Sequence, residues 1–132
     1  MQDDERYDRG RKRFLEVHDD KALAAVEGLG DLGRFIVEFI YGDLYTREAL
    51  STRDRELAAV VALVSLGRSA QLPQHVRASL DAGITVDELR EAILQTATIA
   101  GFPPAMTAMS TLKTVVAERD RASPSGGSSG GS

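Results

Sequence analysis

The sequence predicts an all-α domain, and three observations carry that expectation. Apolar residues recur at helical spacing through four long segments, and nowhere do apolar and polar residues alternate over strand lengths. Capping patterns stand ahead of apolar runs, clearest in Thr85-Val86-Asp87-Glu88. Pro73, Pro103 and Pro104 fall at breaks between runs or in a first turn, where a missing N–H costs little. The expected architecture is one domain of about six helices over residues 1–120, followed by a Gly/Ser tail over 121–132.

Each element has its own signals. Residues 3–18 are rich in charge, with Tyr7, Phe14, Leu15 and Val17 as a thin apolar stripe that needs a neighbour to dock on. His18 stands among Glu16, Asp19 and Asp20 and reads as a solvated surface histidine. A short helix over Lys21 to Leu29 ends at Gly28 and Gly30. Asp31 is then placed to cap a helix that buries Leu32, Phe35, Ile36, Phe39 and Ile40. Tyr41 and Tyr45 follow, either as core or interface aromatics or as the lining of a ligand pocket.

Ser51-Thr52-Arg53-Asp54 resembles a capping box and opens a run of apolar and alanine residues from Leu57 to Leu66. Apolar character nearly all round marks this as the central buried helix. The next helix, about Gln71 to Ala82, turns Leu72, Val76 and Leu80 inward. The capping box at Thr85 opens another helix through Ala100. Gly101-Phe102-Pro103-Pro104 breaks it, and a last helix runs from Ala105 to about Ala117. The final SPSGGSSGGS has no means of packing and reads as an added flexible linker.

Composition narrows the function. A chain of 132 residues with 42% hydrophobic content suits one domain with a modest core. A formal charge of −4 offers no basic footprint, so nucleic acid is not an expected partner. No apolar run reaches the roughly 18–20 residues that span a bilayer, so no membrane contact is expected. The charged N-terminus lacks the apolar centre of a signal peptide, which points to the cytoplasm. Cysteine is absent, which removes disulfides, thiolate metal sites and thiol redox cycles together. With only His18 and His75 available, no metal site is expected.

One pair of residues is placed to carry chemistry. His75 falls on the edge of the inward face of its helix, and Gln71 lies four residues earlier on the same side. Glu56 sits in the first turn of the preceding helix, where the dipole favours a carboxylate. The short turn from Gly67 to Ala70 makes the two helices antiparallel neighbours. Periodicity alone allows His75 to be a packing residue and Glu56 a helix-start charge. Arg53, Arg55, Arg77 and Arg90 read as surface or interface charges.

The stretches YGDLYTREALSTRDREL and LGRSAQLPQHVRASLDAGITVDELREAILQTATIAGFPPAM resemble the carboxymuconolactone decarboxylase family, which includes the alkylhydroperoxidase D-type proteins. The resemblance implies an alkylhydroperoxidase D-like helical fold that assembles as a trimer or hexamer. In the peroxidase branch a glutamate, two cysteines and a histidine form a proton relay. Glu56 and His75 match the acid and the histidine, while Arg68 and Gln71 occupy the cysteine positions, so thiol peroxidase activity is not expected. The decarboxylase branch needs no thiol, and it implies a reaction without a cofactor on a small anionic substrate from aromatic-acid degradation. His75 is then the expected proton donor and Glu56 its orienting partner. Arg68, Gln71, Tyr41 and Tyr45 are the expected substrate contacts, with Arg68 anchoring a carboxylate. A cavity is expected beside His75. The alternative is a catalytically silent helical oligomer or ligand-binding module on the same scaffold.

Overall fold

Helices and turns account for the whole of the computed structural model, which describes residues 2–123, so the all-α expectation holds. Helix α1 (Gln2–Val17) leads to α2 (Asp20–Glu27) and α3 (Asp31–Phe35). Helix α3 widens without a break into a π-helical segment, Ile36–Leu44. Four further helices follow: α4 (Thr52–Leu66), α5 (Leu72–Asp81), α6 (Val86–Ala100) and α7 (Phe102–Ala122). The capping signals act as read. Ser51 accepts from the Asp54 amide at the start of α4, and Thr85 and Glu88 bond each other's backbone at the start of α6. Gly67 closes α4 at φ 69°, a left-handed conformation that glycine adopts without steric cost.

Two apolar cores hold the chain together. The C-terminal core is aliphatic, with Val60, Val64, Leu72, Val76, Leu89 and Ile93 buried among α4, α5, α6 and α7. The N-terminal core gathers Phe14, Val17, Leu23, Val37, Tyr41 and Tyr45 from α1, α2 and the π segment. There α1 lies so close to the π segment that a Cβ on Gly10 would run into the Val37 carbonyl. Arginines along α1 tie the contact: Arg6 pairs with Asp43, Arg9 Nε donates to the Gly42 carbonyl (2.9 Å) and Arg13 Nε to the Tyr45 carbonyl (3.0 Å).

Several local expectations are corrected. The stripe Leu32, Phe35 and Phe39 faces outward, 60%, 62% and 58% exposed, because Gly33, Val37, Glu38 and Tyr41 turn inward instead. The π turn and the glycine contact set that face, not the count of large apolar side chains. Asp31 lies inside α3, whose cap is Gly30. Helix α4 is buried along one side only, with Leu66 71% exposed. The last helix begins at Phe102, with both prolines in its first turn, and runs on to Ala122. Residues 121 and 122 are therefore helical, and the tail from residue 124 lies outside the described residues.

Candidate active site

The two cores meet at a cluster of buried polar side chains. Helix α4 carries Glu56 on its buried side, fully enclosed. Helix α5 sets His75 opposite, and its Nδ1–H donates to Glu56 Oε2 at 2.7 Å. The other carboxylate oxygen accepts from the Tyr45 hydroxyl at 2.8 Å. A carboxylate with no solvent contact is costly unless its lone pairs are bonded, and here each oxygen has a donor.

The N-terminal half supplies the rest. The π segment turns Tyr41 and Tyr45 the same way, their ring centroids 5.0 Å apart. The chain leaves α1 at Val17 and bends, which tucks His18 beneath Tyr41. His18 Nε2 and the Tyr41 hydroxyl share a 2.8 Å hydrogen bond. The His18 ring stands edge-on to His75, with centroids 5.5 Å apart. Phe14 packs against both His18 and Tyr41.

Burial sets the protonation of His18 and of the two tyrosines. It is the main cause that lowers the His18 pKa to about 4, with the Glu56 charge and then Asp19 and Asp81 opposing it and His75 reinforcing it. His18 is therefore neutral at pH 7. Burial also raises both phenols well above their ordinary range; Tyr45 and then Glu56 add to this at Tyr41, and Glu56 adds to it at Tyr45. Both tyrosines remain protonated hydrogen-bonding groups near neutrality.

The expected site residues separate on inspection. Glu56 and His75 come together, and Tyr45 joins them, while Tyr41 joins through His18. Arg68 and Gln71 lie exposed at the turn between α4 and α5 and bond neither member of the pair. His18, read as a surface residue, is 9% exposed and central. It stands four residues after Phe14, so extending the α1 stripe by one turn would have placed it on the buried side. Arg55, read as a surface charge, lies over the Tyr45 ring, 5.7 Å from its centroid. The cavity expected beside His75 is displaced: a cleft of about 600 Å³ is walled by Gln74, Ala78 and His18 rather than by His75 itself.

His18, Glu56 and His75 also bring donor atoms within 4.8 Å of one another. Two imidazoles and a carboxylate suit divalent transition metals, but the donors around tetrahedral zinc stand roughly 3.4 Å apart. As arranged, Glu56 is bonded to His75 and Tyr45, and His18 to Tyr41. A metal would require the three side chains to move.

The site is thus a buried carboxylate–imidazole pair backed by phenols, in a chain without thiols, on an all-helical scaffold. Residues 30–114 match the carboxymuconolactone decarboxylase family. The chain is 35% identical over 114 residues to the 4-carboxymuconolactone decarboxylase of Acinetobacter baylyi, covering 83% of this chain and 85% of that protein. It is 33% identical over 87 residues to an uncharacterized 15.0 kDa protein of Paracoccus denitrificans, covering 64% of this chain and 65% of that one. A third relative, the nitrosuccinic acid decarboxylase of Metarhizium robertsii, is 31% identical over 74 residues, 56% of this chain and 52% of its own. The chain belongs to the carboxymuconolactone decarboxylase family.

Proposed function

We propose that the protein is a decarboxylase that removes carbon dioxide from a carboxylated lactone or a related cyclic acid, using His75 as proton donor and Glu56 as its orienting partner. The observation that carries this reading is the 2.7 Å bond between His75 Nδ1 and the buried Glu56 Oε2. It commits Nδ1 to the carboxylate and leaves Nε2, on a side chain 20% exposed, as the atom that exchanges a proton. Two relatives whose names specify decarboxylation support the reaction class.

The reaction balances without an oxidant or reductant. The bond from carbon to the carboxylate breaks, its electron pair enters the substrate's conjugated carbonyl system, and CO₂ departs. The carbon takes a proton from the His75 imidazolium, and solvent restores it. Because the substrate's own carbonyl accepts the electron pair, the step needs no cofactor. Glu56 stabilises the imidazolium and fixes its ring. Replacement of His75 by Ala is expected to lower turnover of 4-carboxymuconolactone by at least about 100-fold, with the helical circular-dichroism signal unchanged. Loss of that signal would assign His75 to packing. A panel of carboxylated lactones giving neither turnover nor binding would favour a silent assembly module.

The protein is further proposed to act as a homo-oligomer, a trimer or hexamer. Leu32, Phe35 and Phe39 form an apolar face more than half exposed, and such faces mark contact surfaces. Light scattering at micromolar concentration tests this, and a strictly monomeric mass would refute it.

A further inference from the structure

Glu56 is wholly enclosed, so its charge rests on the donors that reach it. His75 supplies one at Oε2, and Tyr45 supplies the other at Oε1. Tyr45 is itself held on three sides. Its amide donates to the Ile40 carbonyl at 2.8 Å, the five-residue step of the π segment. Its carbonyl accepts from Arg13 Nε, and the Arg55 guanidinium lies over its ring. An ionised carboxylate can only accept, so the single phenolic proton is committed to Glu56.

We propose that Tyr45 is a positioning residue and not a substrate contact: its hydroxyl limits how tightly Glu56 grips the proton of His75. This rests on the decarboxylase reading, in which His75 must hold a proton and then release it to carbon. A carboxylate left with one donor would bind the shared proton harder, and the imidazolium would become a weaker acid. The sign is the same whichever partner carries that proton, because losing it leaves the enclosed carboxylate charged. Other groups near the pair are His18 and Tyr41, which bond each other. Asp19 and Asp81 act on His18, and Arg55 and Arg13 act on Tyr45. Of these groups, Tyr45 is the one that bonds Glu56 among the described residues.

Tyr45→Phe removes the hydroxyl and keeps the ring. Nitrogen NMR of labelled histidine follows the pH midpoint of His75 directly, its signal being the one absent from His75→Ala. In Tyr45→Phe that midpoint is expected to rise by about one pH unit, the scale of one hydrogen bond to a charged group. With 4-carboxymuconolactone, kcat should fall at least about threefold while KM stays within about twofold. The pH above which kcat declines should move up with the midpoint. Tyr45→3-fluorotyrosine keeps the shape but donates more strongly, and should move the midpoint down. Tyr7→Phe, which removes a phenol–carboxylate bond to Glu27 away from the site, should move nothing.

A midpoint unmoved or lowered in Tyr45→Phe, or a KM raised beyond that range, overturns the proposal. Should Tyr45→Phe fail to fold, the fluorinated protein decides, and an unmoved or raised midpoint there refutes the coupling. The NMR readout needs no turnover, which separates the two claims. A parent protein inactive on every carboxylated lactone sinks the decarboxylase reading, while the midpoint still reports on Tyr45.

Discussion

The two halves of the molecule are held together by different means. The C-terminal half packs branched aliphatic side chains from four helices, so its stability is spread over many interchangeable contacts. The N-terminal half depends on a glycine-level approach of two backbones, a stack of aromatic rings and arginines bonded to carbonyl oxygens. Such contacts are directional and few. The difference teaches where chemistry can be lodged: the aliphatic half supplies a rigid carboxylate and imidazole, and the polar-aromatic half supplies the phenols and the second imidazole that surround them.

Three changes would break or sharpen this contrast. Leu89 is fully buried in the aliphatic core, and Leu89→Ala is expected to cost about 2–5 kcal/mol in urea unfolding, with the substrate KM of the folded fraction unchanged. A substantial loss of affinity there would mean the two halves are not separable.

The next effect is pH-dependent. His18 takes up a proton near pH 6.5 when unfolded but only near 4 when folded. Its contribution is therefore full above pH 6.5 and is lost as pH falls to 4, by about 3 kcal/mol. The difference in urea midpoint between the parent protein and His18→Gln, followed from pH 7 to 4, should shrink accordingly. A constant difference would show that His18 is not buried in solution.

Smallest is Gly10→Ala, expected to cost about 1–3 kcal/mol as α1 is pushed off the π segment. It should also weaken turnover, because His18 directly follows α1, and the π segment carries Tyr41 and ends against Tyr45. Loss of stability without loss of activity would show that α1 does not position the site.

How much could be read from the sequence follows the same division. Helical periodicity and caps located α4, α5 and α6 well, because aliphatic packing obeys a simple 3.6-residue rule. The short turn made α4 and α5 neighbours, but whether Glu56 reaches His75 depended on how the helices cross, and only the family resemblance pointed to the pair. The N-terminal half resisted. Its outward face carries Phe35 and Phe39 and its inward face carries Gly33 and Glu38, the reverse of what hydrophobicity suggests. His18 was misread because three acidic neighbours look like a solvated turn, whereas Asp19 is occupied in capping α2. Nothing in residue type announces a π turn, since it differs from an α turn in winding and not in composition.

That over-wide winding between Ile36 and Leu44 constrains how the protein can vary. Removing a single residue there would let the coil tighten, and the phenol of Tyr45 would swing off the carboxylate it steadies. Surface loops tolerate gains and losses of length. This stretch cannot, so its residue count works as a gauge block that sets the spacing of the polar cluster.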